Sequence, residues 1–145
     1  MSLPEPRPGL VIRYSFLWSH EAAAGAEEAA KDRPCAIVIA AELGAPGEMT
    51  VIVAPVTHEA PDDPGASLEV PRAISRRLGF DDGRHWLRFD ELNQFVWPGF
   101  DLRRVPGRRG AYDYGMLPRG LFERLRRAIL ERQRSRKASP PTRRD

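Results

Sequence analysis

The sequence predicts a small, mostly antiparallel β barrel followed by a basic amphipathic helix. Three observations predict it: five or six short runs rich in β-branched and aromatic residues, Gly and Pro punctuation between them, and a single long stretch with helical periodicity. A chain of 145 residues has the usual size of one domain, and brief helices between strands argue against alternating βαβ units. Closing the barrel also removes the open edges that such apolar strands would otherwise present.

Gly9 to Trp18 follows the breaker cluster Pro6-Arg7-Pro8 and reads as the first strand. Ser19 to Asp32 is rich in Ala and Glu, but Gly25 interrupts it and it has no apolar stripe. It reads as a long exposed loop with some helical content. Pro34 to Ala41 and Met49 to Thr57 are apolar enough to be central strands, and the Gly and Pro residues between them mark a hairpin. After a loop from His58 to Ser67, Leu68-Glu69-Val70 forms a short strand. Pro71 then opens a short helix, with Ile74 and Leu78 on one face and Gly79 just past its end. Arg84 to Phe89 is an edge-like strand, and Asn93 to Trp97 is another that Pro98-Gly99 stops.

From Pro118 onward, Leu121, Phe122, Leu125 and Ile129 share one helix face while Arg124, Arg126, Arg127 and Arg132 surround the rest. The apolar face is expected to pack on the barrel. Residues 1–136 are expected to form one domain, and 137–145, with nothing apolar to bury, a disordered basic tail.

The net charge of +3 hides an asymmetry, because Arg119 to Asp145 holds ten Arg or Lys against three Asp or Glu. A basic end on an acidic body is the footprint of a nucleic-acid or acidic partner, or simply a solvated helix face. The lone Cys35 excludes an intrachain disulfide and lies in an apolar run, which points to a reducing, cytoplasmic setting. No apolar stretch approaches the roughly 20 residues that cross a bilayer, and the first residues lack a basic-then-apolar leader.

Familiar catalytic sets are missing from the sequence: there is no Gly-rich phosphate loop, no His or Cys pair at metal-ligand spacing, and no Gly-x-Ser-x-Gly elbow. His20, His58 and His85 are scattered, so neither a metal nor a cofactor is expected. What remains is a pattern of strand ends. If the second and third strands pair, the start of one and the end of the other lie side by side, making Arg33 and Thr57 near neighbours. A planar guanidinium and a hydroxyl converging on one groove suit a phosphodiester.

These pieces occur in order: Pro8-Gly9-x-Val11-Ile12, Gly25-x-Glu27, Lys31-x-Arg33-Pro34 leading into an apolar strand, and Pro55-Val56-Thr57. In that order and spacing the chain resembles the MazF, PemK and Kid toxins of type II toxin–antitoxin systems, with the specific part running from about Pro8 to Thr57. The resemblance implies an SH3-like barrel and a metal-independent endoribonuclease that cuts single-stranded RNA. It also implies a homodimer silenced by a cognate antitoxin peptide. Carried over by position, Arg33 and Thr57 are the catalytic pair; Glu27 and Lys31, in the matching motifs, are candidate substrate contacts, and so, on their own chemistry, are His58 beside Thr57 and Trp97, whose ring could stack on a base. The 2′-hydroxyl of RNA would attack the adjacent phosphorus, Arg33 would stabilise charge on the phosphoryl oxygens, and His58 would assist proton transfer.

Each residue has a plainer structural reading beside the functional one. Arg33 could pair with Glu27 or Glu28, Thr57 could simply end a strand, Trp86 and Trp97 could be core, and Asn93 could be a turn residue. For the whole chain the alternative is a non-catalytic barrel that binds protein or nucleic acid through its basic helix.

Overall fold

The computed structural model describes residues 3–20, 31–135 and 140–143. It is mainly β, with nine strands and two α-helices among these residues. Three long strands form its centre: β1 (Leu10–Phe16), β2 (Lys31–Ala41) and β3 (Thr50–Thr57). β1 and β2 pair antiparallel with Ile12 opposite Cys35 and Tyr14 opposite Arg33. β2 and β3 form the expected hairpin, with Cys35 opposite Pro55 and Ala41 opposite Thr50. Gly47, at φ 85°, supplies the left-handed backbone of the connection, where Glu48 N–H also bonds the Ala45 carbonyl at 3.0 Å. β2 begins at Lys31, three residues before the expected start, so Lys31 to Arg33 belong to a strand and not to the preceding loop. Beyond His20 that loop, including Gly25 and Glu27, lies outside the described residues.

The far side of β3 divides between two partners. Thr50 to Val53 pair with β6 (Asn93–Val96), and Val56 and Thr57 pair with β5 (His85–Arg88). The change of partner falls at Ala54-Pro55, where the proline brings no N–H to a ladder. β4 (Ser67–Val70) extends β5 outward, while β7 (Leu102–Arg103) and β8 (Asp113–Met116) pair with β1. The resulting path β4-β5-β3-β2-β1-β7 ends without β4 meeting β7. The expected closure into a barrel therefore does not occur among the described residues. Both outer strands are short, four and two residues, which limits the edge that an open sheet exposes.

Period-two alternation sends successive residues of the central strands to opposite faces, and both faces are buried. On one, Ile12, Tyr14, Phe16, Cys35, Ile37, Val51, Val53 and Phe95 pack together, with Tyr14 stacked on Phe95 at 4.7 Å between ring centroids. On the other, Val11, Ala36, Val56 and Leu87 meet the helices α1 (Arg72–Leu78) and α2 (Arg119–Arg134). α2 presents Leu121, Leu125 and Ile129 to this core, as its periodicity predicts. Gly79, left-handed at φ 79°, ends α1 with its N–H on the Arg76 carbonyl, and Arg108 Nη2 caps the Leu78 carbonyl at 2.8 Å.

Two parts of the chain differ from the sequence-based expectation. β7 and β8 are too short and too polar to announce themselves. Near the C-terminus, Thr142 and Arg143 form β9, parallel to Asn93 and Gln94, with Thr142 N–H on the Leu92 carbonyl at 2.9 Å. The expected disorder thus gives way at this pair, whose main chain satisfies an exposed strand edge without any apolar side chain. No helix among the described residues is long and apolar enough to cross a membrane.

Candidate functional site

A cleft of about 530 Å³ opens where β1, β2 and β3 end beside α1 and β5, and it is lined by Arg13, Lys31, Arg33, Thr57, His58 and Glu59 among others. The strand register explains why Arg33 and Thr57 share it. Cys35 stands opposite Pro55 at the end of the paired stretch, so the next residues of both strands, Arg33 and Thr57 among them, leave at the same end of the hairpin, and both line the cleft. The two stretches of chain expected to converge both line this cleft.

Thr57 is buried, and its Oγ1 accepts a 3.1 Å bond from the Glu59 main chain, which fixes the turn leaving β3. Arg33 is half-buried, its guanidinium 5.2 Å from the Trp18 ring centroid and its Nε without a hydrogen-bond partner. Arg13 joins it from β1, donating to the Tyr114 hydroxyl at 2.9 Å. Lys31 is exposed on the same rim. Next to this cationic group, burial pushes the Cys35 thiol far above its ordinary value despite Arg33 and Arg13, which leaves it an inert core residue.

His58 follows Thr57 and lines the cleft as well, although an adjacent strand residue is expected to point away. The end of the strand frees it from that alternation. Its Nε2 lies 3.0 Å from Asp81 Oδ1 and its Nδ1 3.1 Å from the Arg84 carbonyl oxygen. Both neighbours are acceptors, so the tautomer decides which ring nitrogen of His58 donates and which keeps its lone pair.

Asp81 also takes His85, whose Nε2 lies 3.0 Å from the same Oδ1. His85 is buried under Phe80, and its Nδ1 has no partner among the described residues. Partial burial of Asp81 works against its ionisation. The bonds from His85 and His58 outweigh it and hold the carboxyl below the usual aspartate range. Sequence reasoning took the histidines as scattered and missed Asp81 and His85. No spacing rule joins His58 to them, because a helix and a strand intervene; only the Asp81-Asp82-Gly83 turn signal, aiming the chain back toward β3, hinted at the return.

Other predicted contacts fall elsewhere. Trp97 does not line the cleft; it packs beside Phe95, at 6.1 Å between ring centroids, in the core cluster that holds Ile12 and Cys35. Glu27 lies outside the described residues. Trp86 is buried, and Asn93 is a fully buried strand residue and not a turn residue. No protein-family model matches this chain and no curated protein matches it, so what the protein does has to be read from the residues of the cleft.

Proposed function

We propose that the protein is an endoribonuclease of the toxin class that its motifs resemble, cutting single-stranded RNA in this cleft without a metal ion. The observation that carries the reading is that half-buried Arg33 and buried Thr57 line one cleft, with Arg13 and Lys31 adding positive charge. A phosphodiester seated there would present its non-bridging oxygens to the Arg33 guanidinium. The 2′-hydroxyl attacks phosphorus as the bond to the 5′-oxygen breaks, leaving a cyclic phosphate and a 5′-hydroxyl. Arg33 stabilises the charge that develops, Thr57 holds the turn that shapes the rim, and water in the open cleft carries the proton while His58 stays bound to Asp81. Under this reading the open sheet is a variant of the SH3-like barrel, and a homodimer and an antitoxin peptide are the expected partners.

The test is digestion of single-stranded RNA with chelator present, comparing wild type with Arg33→Ala. Cleavage by the wild type and its loss in a folded variant support the proposal; equal cleavage by both removes Arg33 from the mechanism. One observation favours a second reading, a binder without chemistry: Arg119, Arg124, Arg126, Arg127 and Arg134 are all exposed on α2. That reading expects salt-sensitive RNA or protein binding, no cleavage, and binding that falls when these arginines become Gln.

A further inference from the structure

We propose that His58, Asp81 and His85 form a binding site for a divalent transition-metal ion of the zinc class. The three come from separate elements: the residue after β3, the turn after α1, and the first residue of β5. Their donor atoms all lie within 4.8 Å of one another, and both imidazole Nε2 atoms lie 3.0 Å from one carboxylate oxygen. Ligands about 2.0–2.1 Å from a shared ion stand about 2.9–3.4 Å apart across octahedral and tetrahedral edges. The two separations to Asp81 match such edges, and the third, between the imidazoles, is within 4.8 Å.

The surroundings fit the same chemistry. A metal-binding imidazole usually donates its other N–H to a carbonyl or carboxylate, and His58 Nδ1 does so to the Arg84 carbonyl at 3.1 Å, which aims Nε2 at the site. His85 is held rigid by burial, and its orphaned Nδ1 is an unfavourable feature that a packed core would not keep without some other gain. Asp81 is largely exposed, so an ion would keep open positions toward the cleft. Two imidazoles and one carboxylate suit zinc, cobalt or ferrous iron and not magnesium or calcium, which take mainly oxygen ligands. The ion would tie the turn before β5 to the end of β3. The site does not depend on the ribonuclease reading, whose chemistry needs no ion.

Calorimetric titration of ion-free protein with Zn²⁺ tests the site, and substitution of Co²⁺ reports its geometry by visible absorbance. One equivalent is expected to bind, with a cobalt spectrum of four- or five-coordinate character and a melting temperature raised by about 5–10 °C at a hundredfold excess over Kd. His58→Gln and Asp81→Asn, both at exposed positions and so expected to fold, should each weaken binding by about tenfold or more. Absence of saturable binding, or binding unchanged in both variants, overturns the proposal.

Discussion

Arg84 grips the carboxylate of Glu69 through two bonds, Nε to Oε2 and Nη2 to Oε1, each 2.8 Å long. The same guanidinium lies 4.9 Å from the Trp86 ring centroid, and the Arg84 carbonyl accepts the bond from His58. A planar fork can make both carboxylate bonds at once, which a lysine cannot. The pair thereby links β4 to the backbone that orients one wall of the cleft.

The bonds from Arg84 hold the Glu69 carboxyl below its ordinary range. A carboxyl depressed on folding adds stability above its unfolded value, about 4.3 for glutamate, and loses it as pH falls through the lower folded value. Urea midpoints of wild type and Glu69→Gln should therefore differ at neutral pH and converge once the carboxyl is protonated in both states. The difference should be small and shrink with salt, because the pair is exposed. A gap that persists in acid would mean that the substitution acts through packing.

Arg33→Lys keeps the charge but not the fork. If two phosphoryl oxygens are held together, the lysine variant should lose about 100-fold or more in RNA cleavage, close to the loss in Arg33→Ala. A lysine variant near wild-type activity would reduce Arg33 to a point charge.

Asn93 and Leu17 test a buried polar contact. The Asn93 amide accepts from Leu17 N–H and donates to the Leu17 carbonyl, both at 2.8 Å, at a fully buried position. Asn93→Ala leaves both main-chain groups unpaired and should cost about 2–4 kcal/mol, measured by equilibrium urea unfolding. A loss under 1 kcal/mol, roughly one ordinary hydrogen bond, would mean that water replaces the amide.

The docking of α2 gives a contrast within one helix. Leu125 is completely buried in the helix-side core and Leu130 is 39% exposed. Leu125→Ala should lose about 2–5 kcal/mol and Leu130→Ala less than about 0.5 kcal/mol. Similar losses for the two would mean that α2 packs with another face.

Much of the fold was legible because its determinants are local. Alternation in β1 to β3, the Gly and Pro residues of the hairpin, and the spacing of Leu121, Leu125 and Ile129 each describe one short stretch, and each of these elements formed, β2 starting three residues early. The convergence of Arg33 and Thr57 was also legible, since a hairpin fixes the register of its two strands. β7, β8 and β9 were not, because two to four residues with mixed polarity carry no periodic signal and pair only when a neighbouring edge is already in place.

By itself, then, the sequence determined a mainly β chain with a basic helix and brought a guanidinium and a hydroxyl to one end of a hairpin. Only the tertiary structure decided that the sheet stays open, that Trp97 packs beside Phe95 and does not line the cleft, and that His58 and His85 meet at one Asp81 oxygen. The physical reason is range. Local pattern sets which face of an element is apolar and which turns reverse the chain. Side chains 23 to 27 residues apart meet only after every intervening element has packed.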